Sequence, residues 1–299
     1  MEGSIGNTPL IRLENVERRF GLSAKLYAKA ENYNAGGSIK DRVALAIIED
    51  AEKSGRLKKG GTVIEATSGN TGVGLALVAK ERGYKAVIVM PETMTVERRK
   101  LIASYGAEIV LTNGGLGMQG AVEKAETLLK TTPNAIIAGQ FVNPVCVQAH
   151  YDTTAPEIYR ELRDGIDIFT AGVGTGGTLS GIGKYLKEKN PQMQVVAIEP
   201  KRSPLLSQGK SGAHGIQGIG ANFIPQILDR SVYDEVFTVS DEDAIATARL
   251  LKEDEGLFVG ISAGANVWTA VCLAKREENT NKTIVTVLPD SGNRYLSIL

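Results

Sequence analysis

The sequence predicts an α/β fold of two three-layer units, each a mainly parallel sheet covered by helices. Three observations carry this. Short β-branched runs alternate with stretches of helical period, and the series that ends at Ala138 restarts at Asp167. The runs are continuously apolar rather than alternating, as burial of both sheet faces requires. Small-residue loops stand where strands hand over to helices, and such sheets bind ligands beyond the carboxyl ends of their strands.

Taken in order, Lys40 opens an amphipathic helix after Gly36-Gly37-Ser38-Ile39. Thr62 to Glu65 reads as a strand and Val73 to Arg82 as a helix. Ala86 to Met90 is a strand closed by Pro91, and Val96 to Tyr105 a helix. Glu108 to Leu111, Gly117 to Lys130 and Ala135 to Ala138 continue as strand, helix and strand. The second series runs Asp167 to Val173 as strand, a helix to about Glu188, then strands at Gln194 to Ile198 and Glu235 to Val239. Ser240 and Asp243 suit a capping box for a helix from Asp241 to Glu253. Phe258 to Ile261 reads as a strand, followed by a helix through Ala274 and a last strand from Thr283 to Leu288. The Gly- and Ser-rich segment Lys201 to Pro225 is long enough for a functional loop.

Composition narrows the function. The 299 residues suffice for a full core and one or two domains. Lys plus Arg equals Asp plus Glu at 34 each, so a nucleic-acid partner is not favoured. Cys146 and Cys272 lie in apolar, helical-looking stretches, without metal spacing or a disulfide framework, and read as small buried hydrophobes. Met1 to Gly6 lacks a signal pattern, and no apolar run approaches the length of a membrane span. The expected location is the cytoplasm.

Three loops carry the chemistry. Gly174-Thr175-Gly176-Gly177-Thr178 follows a buried strand and opens a helix, so free amides and hydroxyls form an anion cradle. Lys40 sits in a first helical turn, where positive charge is disfavoured; this favours a neutral, nucleophilic amine. Thr67-Ser68-Gly69-Asn70-Thr71-Gly72 offers amides and hydroxyls for a carboxylate, with Asn70 able to donate to a ring oxygen. An amine, a phosphate cradle and a carboxylate loop together suit pyridoxal 5'-phosphate. Ser262, in Gly260-Ile261-Ser262-Ala263-Gly264, would give the pyridine nitrogen a neutral partner and a shallow electron sink, or simply cap a helix. Gly172, Gly174 and Gly177, with Glu199 at the end of the next strand, also spell a dinucleotide fingerprint. His150 suits core or capping use, whereas His214 in the long loop is open to a place at the substrate mouth.

The motifs resemble those of the cysteine synthase group, the O-acetylserine sulfhydrylases of the fold-type II, tryptophan synthase beta-like pyridoxal-phosphate enzymes. The resemblance runs through Gly6 to Leu10, Ser38 to Arg42, Thr67 to Gly72, Met90 to Met94, Gly172 to Thr178, Ile216 to Ala221 and Leu288 to Gly292. It implies that Lys40 forms the internal aldimine and shuttles the Cα proton. It implies that Asn70 meets the ring oxygen, that Gly174, Thr175, Gly176, Gly177 and Thr178 hold the phosphate, and that Ser262 meets the ring nitrogen. Thr67, Ser68, Gly69, Thr71 and Gln140 would bind the substrate carboxylate. The implied reaction makes L-cysteine from O-acetyl-L-serine and sulfide by β-replacement, through an α-aminoacrylate.

The resemblance further implies a homodimer and a smaller mobile unit, 38–145, closing on a larger one, 1–37 plus 146–299. It allows docking of a serine acetyltransferase C-terminal tail. The chain departs from the family at Ala35 (commonly Pro), Gly215 (often Lys), Asn222 (usually Gly) and Asn293 (commonly Glu). The changes at 215 and 222 lie in the substrate-facing loop and leave the nucleophile open. Homocysteine addition, giving cystathionine, and cysteine desulfhydration are the neighbouring alternatives. A dehydrogenase and a non-catalytic binding protein are the remote ones.

Overall fold

The computed structural model describes residues 5–163 and 165–299; the first four residues of the N-terminal reading lie outside them. The chain opens with β1 (Leu10–Arg12), α1 (Glu14–Phe20), β2 (Lys25–Ala30) and α2 (Lys40–Lys53). Next come β3 (Thr62–Ala66), α3 (Asn70–Glu81), β4 (Lys85–Pro91), α4 (Val96–Ser104), β5 (Glu108–Thr112), α5 (Gly117–Thr131) and β6 (Ala135–Ile137). Helix α6 (Val145–Ala149) passes through a π-helical turn, His150–Thr154, into α7 (Ala155–Leu162). The remainder is β7 (Ile168–Gly172), α8 (Gly177–Lys189), β8 (Gln194–Pro200), α9 (Leu205–Gln208), β9 (Glu235–Val239), α10 (Asp241–Glu255), α11 (Ile261–Ala274) and β10 (Thr283–Leu288).

These strands form two sheets. The first has the order β1-β2-β10-β7-β8-β9 and the second β5-β4-β3-β6. Every pairing is parallel except β1 with β2, an antiparallel edge. The fold class is therefore as predicted, mixed α/β with mainly parallel sheets. The four-stranded sheet packs under α2 and α3, where Val43, Ile47, Ile48, Leu75 and Val78 join Val63 and Ile88. Helix α11 is buried almost all round, and its Val267, Ala270 and Val271 pack with Leu26, Ile168 and Ile284 of the six-stranded sheet.

Two expectations need correction. Phe258 to Ile261 is not a strand: only Val259 forms a bridge, to Ser291, and α11 already starts at Ile261. The β-branched run misled because it is buried in the core, where apolar strand and apolar helix start look alike. The helix placed at Val73 starts at Asn70, so Asn70 belongs to a rigid first turn. At α10, Ser240 Oγ accepts from the Asp243 amide at 3.0 Å and donates to the Asp243 carboxylate at 2.7 Å, which gives half of a capping box.

Candidate active site

The ends of β3, β7 and β10 and the first turns of α2, α3, α8 and α11 open on one cavity of about 960 Å³. It is lined by Lys40, by Thr67, Ser68, Gly69, Asn70 and Thr71, by Gln140, by Gly174, Thr175, Gly176 and Thr178, and by Ser262. Residues as far apart in sequence as Ile39 and Pro289 thus meet around a single space. Gly177 is the exception among the expected site residues. It lies under the cradle, where a Cβ would come within 2.9 Å of the Cys146 carbonyl oxygen.

Lys40 is the first residue of α2, and its Nζ lies 3.4 Å from Thr175 Oγ1, joining amine to cradle. Burial lowers its ammonium below the ordinary lysine range, with only the nearby Cys146 thiol opposing. Its placement is enforced two residues later. Arg42 is buried, and its guanidinium grips Glu31 at 2.7 and 2.8 Å and Glu157 at 2.7 Å twice. The fully buried Lys29 adds an ion pair to Glu157 at 2.8 Å. Asp41 fixes the approach to Lys40 by accepting from the Gly36 amide at 2.7 Å. Burial raises the Asp41 carboxyl to about 6, against that amide and Arg294.

The cradle requires glycine. A Cβ on Gly174 would lie 2.3 Å from the Gly218 carbonyl oxygen, and Gly176 has φ +88°. The 13-residue α8 that follows presents its first amides, which have no partners within the helix. His150 Nε2 lies 3.3 Å from Thr178 Oγ1, and its Nδ1 lies 3.0 Å from Thr154 Oγ1. Burial, aided by Lys40 and Arg42, keeps this imidazole neutral, well below its usual range. His150 is thus a core histidine, as expected, but one that touches a cradle hydroxyl. The charged side chains lining the cavity are Lys40, Glu65 and Glu126, and none of the cradle residues is acidic. A donor set of amides and hydroxyls beside a buried amine fits pyridoxal 5'-phosphate.

The opposite wall carries Thr67, Ser68, Gly69, Thr71 and Gln140. Thr71 Oγ1 donates to Gln140 Oε1 at 2.6 Å, and both residues are buried. Glu65, which sequence reasoning placed only as a strand residue, accepts from the amides of Gly139 at 2.8 Å and Gln140 at 3.3 Å. Burial raises its carboxyl to about 7, against those two amides. A polar residue at the buried end of an apolar strand was the available signal. Arg98 was also missed. It donates to the Ser68 carbonyl at 2.9 Å and to the Gln217 side chain, tying the carboxylate loop to the long loop.

Other readings resolve on geometry. His214 is not among the cavity-lining residues; its Nε2 lies 2.9 Å from the Gly220 carbonyl and braces the long loop from within. Glu199 is not free for a ribose, because it accepts from the amides of Leu206 at 2.6 Å and Ser207 at 3.1 Å. Asn222, where glycine is usual, has φ +63°, a conformation Asn tolerates better than other side chains. Cys146 is buried, and burial pushes its thiol up to about 11; Cys272 is only partly buried.

The profile described as "Pyridoxal-phosphate dependent enzyme" matches residues 1–290. The chain belongs to this family. It is 51% identical over 293 residues to cysteine synthase B of Campylobacter jejuni, covering 98% of this chain and 95% of that one. It is 49% identical over 294 residues to a cysteine synthase of Staphylococcus aureus, covering 98% and 94%. The solved structure of an O-ureido-L-serine synthase superposes with a TM-score of 0.94 at 44% identity, covering 99% of this chain and 92% of that one. The chain is accordingly a pyridoxal-phosphate-dependent enzyme.

Proposed function

We propose that this enzyme forms L-cysteine from O-acetyl-L-serine and sulfide by β-replacement. The observation that carries the reading is one cavity holding the Lys40 amine against Thr175 at 3.4 Å, with the Thr71–Gln140 pair also on its wall. Likeness to cysteine synthases over nearly the whole chain supports the choice of substrates.

Gly174, Thr175, Gly176 and Thr178 would hold the cofactor phosphate, Asn70 its ring oxygen and Ser262 its ring nitrogen, with Gly177 shaping the cradle from below. When bound, the cofactor supplies an aldehyde that captures amines and a ring that draws electrons from the α-carbon. Thr67, Ser68, Gly69, Thr71 and Gln140 bind the substrate carboxylate and so aim the α-carbon hydrogen at Lys40. Lys40, whose burial disfavours the ammonium form, takes that proton as general base and later returns it to the same carbon. The hydroxyl of Ser262 gives the ring nitrogen a weak partner, which favours prompt departure of the β-substituent.

Residues 38–145 act as a smaller unit that closes on 1–37 plus 146–299 and excludes water from the cavity. Arg98, bridging Ser68 and Gln217, supports that closure. The enzyme acts as a cytoplasmic homodimer, and its cavity admits the C-terminal tail of a serine acetyltransferase. Among the described residues no helix is long and apolar enough to cross a membrane. Light scattering tests the dimer, and titration with a tail peptide tests the docking.

Purified protein should be yellow, and borohydride followed by peptide mapping should leave the cofactor mass on Lys40. Lys40→Ala should abolish turnover of O-acetylserine with sulfide; wild-type turnover in that variant would remove the assigned base. The loop around Gly215 and Asn222 favours a second reading for the nucleophile. The Gly215 amide donates to Asp241 at 2.7 Å, and a Cβ there would meet that carboxylate at 3.1 Å. A panel of sulfide, homocysteine and cysteine, with product identification, separates cysteine synthesis from cystathionine formation and desulfhydration.

A further inference from the structure

The motif Asp290-Ser291-Gly292-Asn293-Arg294-Tyr295 has no role in the reaction so far. None of these residues lines the cavity, but Asn70 does. Its carboxamide is gripped from both ends. Nδ2 donates to Asp290 Oδ2 at 2.7 Å, and Oδ1 accepts from the Arg294 guanidinium. Asp290, 1% exposed, also accepts the Tyr295 hydroxyl on Oδ2 at 2.6 Å.

A carboxamide has two N–H donors and one carbonyl acceptor. Arg294 fixes the carbonyl end and Asp290 takes one N–H, so the amide keeps its second N–H free to donate. Flipping the amide would set N–H against guanidinium and carbonyl against carboxylate, two repulsive contacts in a buried site. The same turn holds the approach to Lys40. Arg294 donates to the Gly36 carbonyl, the Ser291 amide to the Gly37 carbonyl at 3.1 Å, and the Ile39 amide to the Pro289 carbonyl at 2.8 Å.

We propose that Asp290 and Arg294 are positioning residues that lock Asn70 as a hydrogen-bond donor toward the ring oxygen of the bound cofactor, in register with Lys40. This rests on the reading of Asn70 given above. A donor there favours the ionised ring oxygen. Its loss favours the neutral hydroxyl form, which absorbs at shorter wavelength.

The test places Asp290→Asn and Arg294→Met in the wild-type and Asn70→Ala backgrounds. The visible spectrum of the loaded protein and its affinity for pyridoxal 5'-phosphate are measured in each. Both single variants should move absorbance to the shorter-wavelength band and weaken cofactor binding about tenfold, the scale of one lost hydrogen bond to a charged group. Asn70→Ala should do the same, and neither variant should add to it, because all three changes remove one interaction. Unchanged spectra and affinity would overturn the clamp, and so would shifts that recur in full in the Asn70→Ala background. Circular dichroism checks folding; should Asp290→Asn unfold, Arg294→Met, at a half-buried site, decides alone. A wild-type chain that takes no cofactor at all would remove the site reading itself, and the clamp with it.

Discussion

Glu157 and Glu65 are both buried, both accept backbone amides, and titrate in opposite directions. Burial would raise Glu157, but the hydrogen bonds and charge of Arg42, with Lys29, outweigh it and hold the carboxyl near 2. Glu65 has backbone amides and no cation at hydrogen-bond distance among the described residues, and burial lifts it to about 7. Neutral hydrogen bonds from Gly139 and Gln140 therefore do not offset desolvation of a carboxylate, whereas a doubly gripped guanidinium does. The paired glutamate anchors the helix that starts at Lys40. The unpaired one supports Gln140, the residue facing Thr71. A fixed charge lies behind the amine, and a carboxyl that titrates near neutrality lies behind the Thr71–Gln140 wall.

Removing the cation breaks the contrast most severely. Arg42→Met leaves Glu31 and Glu157 buried without their main partner, and stability should fall by about 3–5 kcal/mol in urea denaturation. A loss well under that range would mean Lys29 and the amides already suffice for Glu157.

The second prediction concerns pH. Glu65 has a raised folded-state pKa, so its favourable contribution is complete below about 4.5 and is lost as pH rises through about 7. Glu157 is the reverse: its contribution is present above about 4.5 and is lost as pH falls toward 2. Glu65→Gln removes the titration, at a pH-independent cost of one backbone amide left without its acceptor. Its stability relative to wild type should improve by about 3 kcal/mol between pH 5 and pH 9, the scale of a shift of about two pKa units. Parallel stability curves for the two proteins across that range would show Glu65 to be ionised throughout.

The smallest effect belongs to the wall that Glu65 supports. Thr71→Val removes the donor to Gln140 and should cost about 1 kcal/mol of substrate binding. KM for O-acetylserine should rise several-fold while the cofactor spectrum stays fixed; a changed spectrum would place Thr71 on the cofactor instead.

Much of this architecture was legible locally. Strands β3, β4, β7 and β8 are apolar runs covered on both faces, and α5 and α8 begin where glycines end a loop. Strand β2, Lys25–Ala30, was not legible, because two of its six residues are lysines. Lys29 is fully buried only because Glu157, 128 positions later, neutralises it. Helix α7 was hidden by the π-helical turn before it, which breaks the 3.6-residue period of the continuous segment. Within the site, the three loops announced themselves by small residues at strand-to-helix junctions. Their supports, Glu65, Asp290 and Arg294, are ordinary charged residues in sequence and acquire meaning only through what they face.

The sequence by itself determined the parallel α/β class, the glycine-rich turn that opens α8 and the place of Lys40 at the start of a helix, since each depends on neighbours a few positions away. Only the tertiary structure decided which way the Asn70 amide points, which buried carboxylate keeps its charge, and that residues 40, 70, 140, 175 and 262 share one cavity. Those outcomes follow from desolvation and from partners far apart along the chain, and no local pattern encodes either.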